Sequence, residues 1–256
     1  MQNNTFSGLF VGQNLIILKE VSSTNTFLRD ALSKSTPFLE GTVIMAEKQF
    51  AGRGQTNNIW LSEERKNLTF SILLNPSFLP VERQFELNKA ISVALNDVLK
   101  AYVGKSALIK WPNDSYIGNK KVAGILIENI VNGSQIRHAI VGIGLNVNQT
   151  EFPASLDNVT SLKEGLHKDY DLKVLLAEIC NAVEARYLQL RAGRYEKITR
   201  DYMDSLYLFN EWSLFKTEKG VLNGKIIGVS KSGQLEIETT EGISFFNNKE
   251  IEFVNV

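Results

Sequence analysis

The chain has 256 residues, 43% hydrophobic and 22% charged, which suits a soluble globular protein with one large core, or with one large and one small domain. Lys plus Arg and Asp plus Glu number 28 each, so the formal net charge is zero and no overall basic field exists to collect nucleic acid. The single cysteine excludes an internal disulfide, and the N-terminal segment lacks a signal-peptide pattern. No apolar run approaches the ~20 residues of a membrane helix. We therefore expect a cytoplasmic protein without a membrane partner.

In chain order, the first predicted strand covers residues 14–21. The next segment predicts a helix that Ser23 or Thr24 could cap, because both are good acceptors for unpaired helical N–H groups. Residues 41–47 and 67–74 are short apolar runs of the length that is typical of buried strands.

The stretch 82–102 predicts a long helix, because apolar residues recur along one face. These residues are Leu87, Ile91, Ala94, Leu95, Val98, Leu99 and Tyr102. A strand is predicted at 107–111. Two further strands, at 122–131 and 136–147, are expected to pair across Asn132-Gly133, a strong hairpin signal.

From Asp171, a plausible cap, the chain predicts an amphipathic helix, and a second helix follows to about residue 207. From 212 to 254 the pattern changes to short alternating strands with frequent turn signals. The sequence therefore predicts an α+β fold. A mixed β-sheet domain flanked by helices occupies 1–208, and a small β-barrel occupies 209–256.

A loop at 48–60, here called the glycine loop, contains Gly52-Arg53-Gly54. Glycines let a backbone approach an anion closely, and the guanidinium of Arg53 would lie beside it. On spacing alone, a surface turn with a solvated arginine is the simpler interpretation. The spacing is not that of a phosphate-binding GxxxxGK[ST] loop.

Two other stretches allow a structural or a functional interpretation. Gly142 and Gly144 lack the GxGxxG spacing, so close packing at the end of a strand explains them better than a dinucleotide, while Asn146 could face a ligand or cap a turn. Lys110 and Lys121 are strand-end lysines, which usually extend toward solvent. However, these two lysines, Asn113 and Asp114 fall within twelve residues around one predicted hairpin. Because a tight hairpin brings its two ends together, an ammonium and a carboxylate could share a cleft.

Other chemistries have little support. His138 and His167 lack metal-ligand spacing, and the sequence contains no HExxH, CxxC or GxSxG motif. Cys180 lies one turn past Leu176 on a predicted helix, so we expect it in the core.

Taken together, several of these stretches resemble the biotin protein ligase family. They are SSTN at 22–25, GRG at 52–54 with Trp60 six residues beyond, KWPND at 110–114, KVAGILIE at 121–128 and GIGLNVN at 142–148. They follow the family's order and spacing from about Leu15 to Asn148, and the resemblance continues more loosely through the C-terminal β domain. It implies a catalytic domain like that of class II synthetases, followed by an SH3-like β-barrel.

The resemblance also implies a reaction: ATP-dependent activation of biotin to biotinyl-5′-AMP, then transfer of biotin to a lysine of a biotin carboxyl carrier protein. By this resemblance, the residues expected to bind biotin are Ser23, Thr24, Asn25, Gln49, Arg53, Gly54, Gln55 and Lys121. Those expected to bind the nucleotide are Trp111, Asn113 and Asn146. Arg53, Lys121 and Asp114 are expected to act in catalysis, and Asn113 and Asp114 are expected to hold Mg²⁺ through its phosphate complex.

This chain departs from the family pattern at two places. Many relatives carry a DNA-binding helix-turn-helix domain before the catalytic domain, whereas here the first strand begins near Asn14, so we expect the form without that domain and no DNA partner. In such relatives the loop often reads GRGRRG, whereas Gln55 and Thr56 stand here where arginines can stand. We therefore expect weaker retention of the adenylate.

Two alternatives remain open at the level of sequence. A lipoate or octanoate protein ligase has a similar fold, but it favours a longer apolar tunnel and lacks KWPND. A biotin-binding regulatory module is disfavoured by the zero net charge and by the expected lack of a DNA-binding domain. The identity of the carrier protein, and the choice between monomer and homodimer, are also open.

Overall fold

The computed structural model describes residues 7–34, 37–55, 58–154, 156 and 158–254. Its first sheet has seven strands: β1 (Leu15–Val21), β2 (Val43–Gln49), β5 (Leu68–Leu74), β6 (Ala107–Lys110), β7 (Asp114–Ile117), β8 (Lys120–Asn132) and β9 (Gln135–Leu145). A separate pair in the glycine loop consists of β3 (Gly52–Arg53) and β4 (Ile59–Trp60). The strand order in the large sheet is β1-β2-β5-β9-β8-β7-β6.

The helices are α1 (Thr24–Ser33), α2 (Gln84–Val103), α3 (Leu162–Leu166), α4 (Leu172–Arg191) and α5 (Tyr195–Met203). Strands β1 and β2 pair in parallel because α1 connects them as a crossover, and the other neighbours in the sheet are antiparallel. The predicted hairpin between β8 and β9 is confirmed, and its turn residue Gly133 has a φ of +61°.

Side-chain alternation along the central strands divides the core between the two faces of the large sheet. Val43 and Met45 of β2 face the helices α2 and α4, whereas Ile44 between them faces α1. On α2, the predicted apolar face packs into this core, with Leu87 and Leu95 fully buried. Cys180 of α4 is also fully buried, as expected for a core residue.

The caps of two helices can be compared with the predictions. Asp171 caps α4, because its Oδ1 accepts from the backbone N–H groups of Lys173 and Val174. Ser23 stands at the N-cap position of α1, but its side chain makes no capping bond. Gln49 Oε1 caps the helix instead, because it accepts a hydrogen bond from the backbone N–H of Thr24 at 3.0 Å.

The second sheet contains five antiparallel strands: β10 (Trp212–Thr217), β11 (Gly220–Val229), β12 (Leu235–Thr239), β13 (Gly242–Phe246) and β14 (Ile251–Phe253). The predicted C-terminal antiparallel strands are therefore confirmed, but the described residues do not form a closed barrel. Across the described part of this domain, β13 and β14 remain at opposite edges of an open sheet.

A shared apolar core explains why the second sheet need not close on itself. Phe215 and Ile237 of the second sheet belong to one buried cluster with Ile109, Trp111 and Tyr202, which lie in the large domain. The large domain thus covers the face that a closed barrel would bury internally. The boundary at residue 208 stays a prediction.

Candidate active site

A cavity of about 590 Å³ is lined by residues of the large sheet, the glycine loop and the second sheet. The predicted site residues that line it are Ser23, Thr24, Asn25, Gln49, Arg53, Gly54, Gln55, Trp111, Asn113, Asp114 and Lys121. Chain segments that are far apart in sequence therefore meet at one place. The volume is within the range of small-molecule sites.

A buried polar network lies where α1 begins on the sheet. Thr24 and Asn25 are each 3% exposed, and Ser71 of β5 is fully buried between them. Ser71 Oγ lies 2.7 Å from Thr24 Oγ1 and 2.6 Å from Asn25 Oδ1. Gly142 of β9 makes this possible, because a Cβ at that position would overlap the Asn25 amide. The network presents hydroxyl and amide groups that can pair with a polar ligand.

Glu128 of β8 connects this network to the glycine loop. Its Oε2 accepts from Asn25 Nδ2 at 2.9 Å, and its Oε1 forms ion pairs with Arg29 Nη2 at 2.8 Å and with Arg53 Nη1 at 3.2 Å. The guanidinium of Arg53 is therefore held over the cavity by a carboxylate that does not itself line it.

The described flanks of the glycine loop pair with each other as two short antiparallel strands. Gly52 pairs with Trp60 and Arg53 pairs with Ile59, and Gly54 N–H donates to Asn58 O at 2.7 Å. A Cβ at Gly52 would overlap the Trp60 carbonyl, so the close pairing requires glycine there. Gln55 Oε1 accepts from Asn248 Nδ2 at 2.5 Å. Thr56 lies outside the described residues.

The indole of Trp60 covers β9 where the cavity meets the sheet. A Cβ at Gly144 would overlap this ring, so the glycine provides the space that the indole occupies. Close packing is thus what both glycines of the 142–144 stretch provide. Trp60 Nε1 is buried and has no hydrogen-bond partner among the described residues.

The KWPND stretch connects β6 to β7 and presents charge to the cavity. Asp114 Oδ2 and Lys121 Nζ form an ion pair at 2.6 Å, with 28% and 31% of their side chains exposed. Asn113 Nδ2 donates to Ile125 O, which holds this connection against β8. The predicted pairing of an ammonium with a carboxylate at one cleft is present in the structure.

Trp111 and Lys110 attach the same stretch to the second sheet. Trp111 Nε1 donates to Gly233 O at 3.0 Å, and Lys110 Nζ lies 4.8 Å from the ring centroid of Phe253. Burial lowers the pKa of the Lys110 ammonium from its usual value, and the Asp114 carboxylate opposes that shift. Lys110 lines the cavity as well, so it adds a cationic side chain to a wall that also includes Arg53, Lys121 and Lys249.

Asn146 is the one predicted site residue that is not on the cavity wall. Its Nδ2 donates to Thr160 O at 3.1 Å, and Thr160 N–H donates in turn to Lys121 O at 2.8 Å. Asn146 therefore supports the backbone beneath Lys121. Its predicted contact with the nucleotide stays a prediction.

Comparison with known proteins agrees with this arrangement. The model of the biotin/lipoate A/B protein ligase family matches residues 17–146, which include every segment of the large domain that lines the cavity. The chain belongs to this family.

Relatives within the biotin/lipoate A/B protein ligase family include the bifunctional ligase/repressor BirA of Bacillus spizizenii. That protein is 32% identical over 257 residues, which cover 94% of this chain and 74% of the relative. The biotin–[acetyl-CoA-carboxylase] ligase of Mycobacterium tuberculosis is 28% identical over 194 residues, covering 74% of this chain and 70% of the relative.

A solved structure of the family also matches the whole fold. The biotin protein ligase of Aquifex aeolicus, in complex with biotin and ATP, superposes with a TM-score of 0.79 at 31% identity. The match covers 95% of this chain and 100% of that chain, so it includes the second sheet as well as the large domain.

Sequence reasoning missed three residues that help to build the site: Ser71, Glu128 and Asn248. One signal was available for Glu128, because Gly124, Leu126 and Glu128 alternate along β8 and so share a face of the strand. No comparable signal exists for Asn248, which approaches Gln55 across 193 positions of sequence.

None of the helices in the described ranges combines the length and the apolar character that crossing a membrane requires.

Proposed function

We propose that this chain is a biotin–protein ligase. In the first step, a biotin carboxylate oxygen attacks the α-phosphorus of ATP, the bond to the β-phosphate bridging oxygen breaks, and pyrophosphate leaves. In the second step, the amine of a carrier-protein lysine attacks the acyl carbon of biotinyl-5′-AMP. The acyl C–O bond breaks, AMP leaves, and the amine loses a proton as the amide forms.

One observation carries this proposal: a single cavity holds a buried hydroxyl and amide network together with four cationic side chains, those of Arg53, Lys110, Lys121 and Lys249. Thr24 and Asn25 supply groups that can pair with a ureido ring, which offers one carbonyl and two N–H groups. Arg53, Lys110 and Lys121 supply the positive charge that a carboxylate and a triphosphate require. The similarity to a ligase solved with biotin and ATP supports this assignment of ligands.

The first step requires two anions to approach each other, which is strongly unfavourable without compensation. Two unit charges 4 Å apart interact by about 4 kcal/mol at an effective dielectric constant near 20. Arg53 and Lys121 already face carboxylates, Glu128 and Asp114, so both cations are oriented before substrate arrives. Preorganised charge of this kind stabilises charge that develops on phosphorus.

The second step requires a neutral amine. Near pH 7 only about 0.04% of a free lysine is deprotonated, because its pKa is about 10.4. Asp114 is the carboxylate on the cavity wall that is paired with Lys121, and we assign it to orient the incoming amine and accept its proton.

The cavity residues are compatible with magnesium that enters together with ATP. Mg²⁺ is usually bound by one or two carboxylates plus substrate phosphates, and both Asp114 and Glu252 line the cavity. Asn113, whose amide nitrogen donates to Ile125 O, would contribute its oxygen. The ion would supply further neutralisation of the triphosphate.

A pyrophosphate-release assay tests the proposed function and its acyl specificity together. Purified chain with ATP and Mg²⁺ should release pyrophosphate on addition of biotin, and lipoate or octanoate should give little release. Preference for lipoate or octanoate would reassign the chain to the other branch of the family. Tight biotin binding without pyrophosphate release would make it a regulatory binding module.

A further inference from the structure

The turn between β13 and β14, residues 247–250, is held in shape by its own hydrogen bonds, and we call it the closing turn. Asn247 N–H donates to Glu250 Oε2 at 2.6 Å, and Glu250 N–H donates to Asn247 O at 3.1 Å. The backbone N–H and the side-chain amide of Asn247 both donate to the Glu250 carboxyl and keep its pKa below the usual value. Lys249 adopts a left-handed conformation with a φ of +78°. The turn therefore presents Asn248 from a defined backbone.

Asn248 reaches from this turn to the glycine loop. Its Nδ2 donates to Gln55 Oε1 at 2.5 Å, and both residues line the cavity. Within the loop, Gln55 O also accepts from Asn58 N–H at 3.0 Å, so Gln55 is bonded both to the second sheet and to the segment that leads into β4. The glycine loop is thus held to the second sheet at Gln55 and to Glu128 at Arg53.

We propose that Asn248 is a positioning residue that holds the glycine loop over the cavity through Gln55, and thereby sets how long the acyl-adenylate stays bound. The inference rests on the proposed function. It gives the second sheet a role in the reaction, because a residue of that sheet restrains the loop that contains Arg53. It also gives Gln55 a role other than direct contact with the phosphate.

The size of the effect follows from the type of bond. A hydrogen bond between two exposed neutral amides contributes modestly, so its loss should speed release of the intermediate by about two- to tenfold. A contact of this strength is also compatible with opening of the loop in each catalytic cycle.

The test is the dissociation rate of chemically prepared biotinyl-5′-AMP from the wild-type chain, Asn248→Ala, Gln55→Ala and the double variant. Asn223→Ala is the matched control, because Asn223 is exposed on β11 of the same sheet and does not line the cavity. Each single variant should release the adenylate about two- to tenfold faster than wild type. The double variant should be no faster than the singles, because both remove the same contact.

The possible failures separate the two proposals. Unchanged release from Asn248→Ala, with normal adenylate binding by the wild type, overturns this inference and leaves the proposed function standing. Faster release from Asn248→Ala in a Gln55→Ala background also overturns it, since Asn248 would then act without Gln55. Failure of the wild-type chain to bind the adenylate at all overturns the proposed function and this inference with it.

Discussion

At Arg53 and Lys121, charge matters more than packing. Arg53 leaves 42% of its side chain exposed, and Lys121 leaves 31% exposed. Without Arg53, Glu128 is still paired with Arg29. Without Lys121, the Asp114 carboxylate still has contact with solvent, because its side chain is 28% exposed. Removing either cation should therefore leave the fold intact while removing charge from the cavity.

We predict that Arg53→Ala and Lys121→Ala each slow adenylate formation by about 10²- to 10³-fold, because each removes a charged donor that faces the developing negative charge. Biotin-dependent pyrophosphate release measures this step, and circular dichroism confirms folding. Arg137→Ala and Lys231→Ala, which change exposed residues outside the cavity, serve as matched controls. Normal release in either cavity variant would remove that residue from the mechanism.

Asp114→Asn should affect the second step more than the first. Transfer from preformed adenylate to the carrier should slow by about 10²- to 10⁴-fold, because the amine loses its proton acceptor. Single-turnover transfer and pyrophosphate release, measured on the same preparation, separate the two steps. Asp169→Asn is the control, since it changes an exposed aspartate that is paired with Lys163 in the same way.

The opposite pattern from Asp114→Asn would contradict its assignment as proton acceptor. A variant that adenylates poorly but transfers normally would place Asp114 with the nucleotide or with magnesium.

Site residues that belong to one local motif could be predicted from the sequence. Site residues that meet only through tertiary packing could not. Asp114 and Lys121 stand seven positions apart around one hairpin, so their meeting was predictable. Ser71 meets Asn25 only because β5 and α1 come together on the sheet. Sequence spacing contains no information of that kind.

At the scale of elements, the buried carboxylate of Glu184 on α4 fixes the segment that precedes β1. It accepts hydrogen bonds from the backbone N–H groups of Leu9, Phe10 and Val11 at 2.6, 2.7 and 2.9 Å. Glu184 is only 6% exposed, so these bonds are largely shielded from water.

We expect Glu184→Gln to lower the free energy of unfolding by about 1–3 kcal/mol, because an amide cannot accept all three N–H groups as a carboxylate does. Urea denaturation measures the change, and the exposed Glu218→Gln is the control. Equal midpoints for wild type and Glu184→Gln would mean that the carboxylate stabilises the fold no more than an amide does.

Cys180 of α4 should be chemically inert in the folded chain. Burial raises its pKa to about 12, so at pH 8 almost none of it is thiolate, which is the reactive form. Iodoacetamide should therefore leave the native chain unmodified at pH 8 and alkylate it after unfolding in denaturant. Rapid alkylation of the native chain would contradict the packing described for α4.

Helices and strands were predicted most reliably where apolar periodicity is long, as in α2 and in the β8–β9 hairpin. The barrel was predicted wrongly for a reason that lies outside its own residues. Alternation in β12 indicates one buried face but does not say what covers it. Here Ile109 and Tyr202 of the large domain cover that face, so the sheet stays open.

At the scale of the whole molecule, the cavity depends on both sheets. Trp111 bonds to Gly233, Lys110 lies beside Phe253, and Gln55 bonds to Asn248, so three separate contacts fix the second sheet against the cavity. The second sheet is therefore part of the cavity wall. The choice between monomer and homodimer stays a prediction.

The most direct test of the account is biotin transfer by the purified chain to the acceptor domain of a biotin carboxyl carrier protein, followed by intact-mass spectrometry. We expect one added biotin per acceptor, dependent on ATP, and no addition when the acceptor lysine is replaced by arginine. An acceptor that stays unmodified with biotin and ATP, but gains a lipoyl or octanoyl group from the corresponding acid, would contradict it.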